Sequence, residues 1–132
     1  MNEAYSWYAL LIKPSWAPPN WLFGPVWTIL YIIIAISFGY VFYRISKGKI
    51  PKYVAVPFIL NLLFNFAFSP IQFTLRNNLW ACADILLVLM TQVWAANAIW
   101  KYDKRIVYAN IPYGIWVTFA TILQINITLL NL

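Results

Sequence analysis

Residues 13–27 read KPSWAPPNWLFGPVW, and residues 28–38 continue as TILYIIIAISF. The first stretch holds three tryptophans and four prolines, and the second is a mostly apolar run. Proline fixes φ and removes a backbone donor, so Lys13 to Pro19 is predicted to be a stiff loop. Indole joins a broad apolar face to one N–H, which suits the boundary between lipid and water. The stretch reads as a rigid aromatic collar at the mouth of an apolar helix, with Trp27 already inside that helix.

The composition agrees. The chain has 132 residues, of which 64% are apolar, 20% aromatic and 9% charged, with a mean hydropathy of +0.73. A soluble domain carries about 25% charged residues. Too few charges remain here to cover a water-facing surface, so lipid is the expected solvent and one membrane domain, 1–132, the expected count. No cleavable signal peptide is expected, because residues 1–12 lack a basic start and Asn2, Glu3 and Ser6 interrupt them. The single cysteine, Cys82, excludes an internal disulfide. Without histidine, the chain lacks the usual ligands for zinc, copper or haem iron, so no metal and no cofactor are expected.

Four runs are long enough to span, at about 21–43, 53–74, 78–100 and 106–130. At ~1.5 Å per residue each crosses a hydrocarbon core of ~30 Å. Short connections imply antiparallel neighbours. The expected fold is therefore an all-α integral membrane protein, a bundle of four transmembrane helices preceded by the 1–20 segment. Arg44, Lys47, Lys49, Lys52, Lys101, Lys104 and Arg105 fall in two loops, while Lys13 and Arg76 fall on the other side. That bias places the two loops in the cytoplasm and both termini outside, in a prokaryotic cell membrane, with the mitochondrial outer membrane as the alternative. The net charge of +6 is thereby ascribed to orientation, and no nucleic-acid partner is expected.

Polar positions then mark faces. Asn61, Asn65, Ser69 and Gln72 recur at intervals of four, four and three, so they share one face. Interhelical hydrogen bonding and a ligand cavity both account for that stripe. Pro57 and Pro70 bracket it and should bend or end the helix. Trp80, Asp84, Leu87 and Thr91 share a face of the third run, and Asp84 is the acidic group well inside a span. Such a group should face the bundle interior, as a functional candidate or as a structural hydrogen bond near the helix start. Trp27, Tyr31 and Ile34 fall together on the first run, and Tyr113, Trp116, Ala120 and Leu123 on the fourth. Trp7, Trp21 and Trp100 suit interfacial anchors, whereas Trp27 and Trp116 should lie deeper. Indole walls, a few amides and a small residue at Ala120 suit a large, flat, apolar ligand.

These residues carry a family pattern. KPSWAPPNWLFGPVWTILY resembles the signature of the translocator protein family, also called tryptophan-rich sensory proteins or, in animals, the peripheral benzodiazepine receptor. LLFNFAFSPIQF is similar to a second block, with Asn65 on its asparagine and Phe68 in place of its tryptophan. WACADILL, with Trp80 and Asp84, and IPYGIWVTFATIL, with Pro112, Tyr113, Trp116, Ala120 and Leu123, are similar to a third and fourth in the same order. The resemblance runs from about Trp7 to the C-terminus. It implies a bundle related to a five-helix fold, enclosing a pocket for porphyrins or other tetrapyrrole-like, sterol-like or synthetic isoquinoline and benzodiazepine ligands. The loop holding Trp16, Pro18 and Pro19 would lie across the pocket mouth. Carried over by motif, the pocket would include Phe23, Trp27, Tyr31, Asn65, Trp80, Asp84, Leu87, Trp116, Ala120 and Leu123. Trp27 and Trp116 match tryptophans implicated in light-dependent porphyrin breakdown, which makes them the candidate catalytic residues.

Two departures shape the expectation. Only twelve residues precede Lys13, and MNEAYSWYALLI is too short and polar to span, so a short form lacking the family's first helix is expected. Its exposed groove would call for a homo-oligomer, a dimer, or for membrane lipid. The sterol-recognition segment of animal members is absent at Leu123-Gln124-Ile125, which weakens a sterol assignment. The expected function is a membrane-embedded binder of porphyrin-like ligands, acting as sensor, scavenger or regulator. The alternatives are a transporter of such ligands or a porphyrin-degrading photo-oxidase. Lys13, basic and beside the loop, would pair with porphyrin carboxylates.

Overall fold

A computed structural model describes residues 11–18, 20–71 and 77–131. Pro19, Gln72, Arg76 and Trp7 lie outside the described residues, as does the Ser69 side chain. A short 3-10 turn, Asn20–Leu22, leads into α1 (Phe23–Ser46). Pro25 falls in the first turn, where a missing N–H costs nothing. Gly48 ends the helix at φ +73°, and the N–H groups of Gly48 and Lys49 close onto Ile45 and Arg44 carbonyls at 3.0 and 2.9 Å. That left-handed position favours glycine. Leu30, Ile34, Ser37, Phe38 and Val41 form the buried stripe of α1.

After Pro51, a second 3-10 turn (Lys52–Val54) opens α2 (Ala55–Ser69). Then come α3 (Asn78–Trp100), a short α4 (Lys104–Ala109) and α5 (Ile111–Leu130). The chain is thus all-helical among the described residues. α1, α3 and α5 are long and apolar enough to cross a membrane, and Lys52–Phe68 is a shorter apolar helix.

One expected boundary changes and one falls outside the described residues. Of the second run, expected to 74, α2 is α-helical to Ser69, where Pro70 supplies no N–H and its ring crowds the carbonyl four residues back; residues 72–74 lie outside the described residues. The fourth run, expected at 106–130, is two helices that meet at Asn110. Pro112 explains the break, since it cannot donate to the Tyr108 carbonyl that a continuous helix would engage. Asn110 serves as the joint: its side-chain nitrogen donates to the Ile106 carbonyl at 2.9 Å and to Ser37 Oγ at 3.0 Å. The break is thereby tied to α1.

The core is a layer of Leu30, Ile34, Phe58, Ile85, Val88 and Tyr113, with Phe38 edge-on to Phe58 at 4.7 Å. Lipid tails offer no hydrophobic force between helices, so close packing and interhelical hydrogen bonds hold such a bundle. Gln124 and Thr128 of α5 supply one such tie, donating to the Asn78 carbonyl at 3.2 and 3.1 Å.

Candidate ligand-binding site

The amide stripe of α2 sits at the centre of the bundle. Asn61 and Asn65, one turn apart, are both buried. Asn61 Nδ2 donates to the Val88 carbonyl at 2.9 Å and to Thr91 Oγ1 at 3.1 Å. Asn61 Oδ1 accepts from Tyr113 Oη at 2.8 Å, and Tyr113 Oη accepts from Asn65 Nδ2 at 2.7 Å. Asn65 Oδ1 accepts from Tyr31 Oη at 3.2 Å. One hydrogen-bonded chain therefore runs through α1, α2, α5 and α3, with the Tyr113 hydroxyl as its hub. An amide in lipid needs such partners, and these two have them.

An aromatic cluster adjoins the Tyr31 end. Trp27 lies 5.5 Å from Tyr31 and meets Trp116 edge-on at 6.5 Å. Phe23 stands edge-on to Trp116 at 5.8 Å, and Phe119 lies 5.5 Å from Trp116. The helical period accounts for the grouping: 23, 27 and 31 fall on one side of α1, and 116 and 119 on one side of α5. Edge-on ring pairs satisfy the ring quadrupoles and leave faces for a further flat group. Within this cluster Trp116 Nε1 is buried without a hydrogen-bond partner among the described residues. A buried donor left unpaired is costly, and a ligand oxygen is the kind of group that would accept from it.

The N-terminal loop packs against the same end. Leu11 and Ala17 join Phe23 and Phe119 around buried Leu123 and Ile127, and Trp16 meets Phe119 edge-on at 5.6 Å. The Asn131 carboxamide clamps the Ile12 backbone both ways, accepting from its N–H at 3.1 Å and donating to its carbonyl at 2.8 Å. Lys13 Nζ donates to the Leu11 carbonyl at 3.2 Å, and burial lowers its ammonium pKa below the usual lysine value.

The structure brings Trp16, Phe23, Trp27, Tyr31 and Trp116 into contact with one another or with Phe119, and links Asn65 to Tyr31. Pro18 is half-buried, Ala120 packs on the core and Leu123 is buried nearby. Asp84 is buried, with Oδ2 unpartnered among the described residues. Trp80 is 65% exposed and Leu87 39% exposed, so neither is enclosed with the cluster. Phe119 and Asn131 escaped the sequence reading. Phe119 was findable, standing one turn beyond Trp116, whereas nothing local distinguishes Asn131.

The sequence is similar to those of known proteins. The family model described as TspO/MBR family matches residues 1–130. The chain is 36% identical over 126 residues to the tryptophan-rich protein TspO of Bacillus cereus, covering 96% of this chain and 81% of that protein. It is 38% identical over 130 residues to the translocator protein of Homo sapiens, covering 93% of this chain and 73% of that one. Against the tryptophan-rich protein TspO of Archaeoglobus fulgidus the identity is 35% over 134 residues, 98% of this chain and 83% of the other.

Proposed function

The chain belongs to the TspO/MBR family, and from that premise we propose that it is an integral membrane protein that binds flat, apolar, porphyrin-like ligands against its aromatic cluster, as a sensor or scavenger. The observation that carries this reading is the unpaired Nε1 of Trp116, buried among Phe23, Trp27 and Phe119. The rings supply stacking surface, and the indole N–H supplies a donor for a carbonyl or carboxylate. Asn65 and Tyr31 hold the neighbouring wall through their mutual bond. The loop clamped by Asn131 covers the outer end, with Lys13 placed to meet an acidic edge of the ligand.

In this reading Ala55–Ser69, extended by its flanking turn, serves as a fourth crossing. The basic loops face the cytoplasm.

Titration of the reconstituted protein with protoporphyrin tests the proposal, following tryptophan fluorescence. Saturable quenching is expected, with affinity falling about tenfold in Trp116→Phe, the worth of one buried hydrogen bond. Trp27→Phe, which keeps an aromatic wall, should bind within about threefold of the parent. Equal affinity in Trp116→Phe and parent would overturn the assignment. Illuminating the bound porphyrin in both variants separates photo-oxidation from passive binding: absorbance decay that slows in them indicates chemistry at the indoles.

A further inference from the structure

Residues 44–52 and 101–105 meet at one end of the bundle, the end away from the tryptophan loop. Arg44 of α1 pairs there with Asp103, and Tyr53 meets Tyr102. The two segments hold seven cations and one carboxylate, which equals the whole net charge of the chain. Asp103 is taken up by two guanidiniums, those of Arg44 and Arg105. Lys47, Lys49, Lys52, Lys101 and Lys104 are exposed, and among the described residues no carboxylate pairs with them. Like charges so crowded repel one another, and their counter-charge must come from outside the chain.

Lys101 differs from the other four in its surroundings. The hydroxyls of Tyr53, on the turn that opens α2, and Tyr102, just past α3, share a hydrogen bond at 3.0 Å. The Lys101 ammonium lies beside both, and Tyr102 first, then Tyr53, raise its pKa above the usual lysine value. The bond to Tyr53 likewise raises the pKa of Tyr102. The ammonium and the Tyr102 hydroxyl therefore keep their protons. One hydrogen is spent between the two hydroxyls, so one O–H remains to donate outward beside the ammonium N–H groups. Two segments 49 positions apart thus present a charged and a neutral donor at one point.

The complement of such a pair is an anion with two acceptor oxygens, as in a phosphodiester. The setting says which kind. Lys104 Nζ sits over the ring of exposed Trp100 at 5.0 Å, and Lys101 Nζ over that of Tyr102 at 5.3 Å. Ammonium groups on indole and phenol rings mark the headgroup layer. From Tyr53, exposed Val56, Ile59 and Leu63 follow at intervals of three, three and four, an apolar track along one face of α2. A soluble acidic partner would leave that track unused. A zwitterionic lipid would bring a further cation to an end already crowded with them. We propose that Lys101, Tyr53 and Tyr102 bind the phosphate of an anionic phospholipid, with an acyl chain along Val56, Ile59 and Leu63. The site is independent of the aromatic cluster, and so is its test.

Native mass spectrometry of the full chain tests the proposal, with phosphatidylglycerol and phosphatidylcholine of identical acyl chains as probes. The parent should retain phosphatidylglycerol with about tenfold higher affinity. Lys101→Gln should erase that preference. Lys47→Gln, which removes the same charge from a lysine seated on Tyr43, should keep it within about twofold. Tyr53→Phe combined with Tyr102→Phe should weaken phosphatidylglycerol about threefold and leave phosphatidylcholine unchanged. Glycerol phosphate or polyglutamate in large excess should leave the bound lipid in place. Displacement by the first would assign the triad to soluble phosphates, and by the second to an acidic protein segment; either overturns the proposal. Equal retention of the two lipids by the parent, which needs no variant to fold, also overturns it. So does an equal loss of preference in Lys101→Gln and Lys47→Gln.

Discussion

Tyr113 carries more of the bundle's polar bonding than its sequence context suggests. Its hydroxyl accepts from Asn65 and donates to Asn61, at 2.7 and 2.8 Å, and its ring is fully buried. Tyr113→Phe keeps the ring and strands one amide oxygen and one amide nitrogen. Each lost bond is worth roughly 1 kcal/mol, so the variant should unfold about 2 kcal/mol more easily, as read by reversible titration with a denaturing detergent. A loss below about 0.3 kcal/mol would show that lipid or water repairs the network. The Asn61 and Asn65 half of this arrangement was legible from spacing alone, because residues four apart must share a face. Trp80 shows the limit of that logic. Its motif matches the family, yet it is 65% exposed, since a motif identifies a residue and not which way its helix is rotated.

At the level of elements, α4 is fastened by one carboxylate. Asp103 caps α4 by accepting from the Arg105 N–H at 3.1 Å, and it pairs with Arg44 of α1 at 3.0 Å. Arg105, donating its side chain to both carboxylate oxygens, holds the Asp103 carboxyl below its usual range, and its backbone N–H and the Arg44 charge add to this. A depressed folded value means that the contribution is present above the unfolded aspartate value of about 3.9 and is lost as pH falls through the folded one. Thermal unfolding in detergent between about pH 5 and pH 2 should therefore fall more steeply for the parent than for Asp103→Asn. Parallel curves would remove Asp103 from the acid response. The hydropathy runs located the helices because solvent dictates their length. They could not show the break at Asn110, since Ile106–Leu130 carries no charged residue and proline tolerates a helix start as readily as it ends one.

For the whole molecule, basic and aromatic side chains fall together at one end of the helices. Lys47, Lys101, Lys104 and Arg105 each lie over a ring, those of Tyr43, Tyr102, Trp100 and Tyr40, at 5.0 to 5.7 Å. Cations seated on tyrosine and tryptophan are the pattern of a membrane interface. In a Cys82→Ser background, Lys49→Cys should resist an impermeant maleimide on intact cells and Ser15→Cys should react. The reverse pattern would invert the proposed topology. Composition made the membrane legible and the tryptophan loop made the family legible. The clasp of Asn131 on Ile12 was not, because residues 119 positions apart leave no periodic trace. Tyr113 has one last consequence. Its ring lines a groove between α3 and α5, while its hydroxyl belongs to the chain that ends on Tyr31 beside Trp27. A shift of that ring would therefore reach Tyr31, the neighbour of Trp27, through two hydrogen bonds.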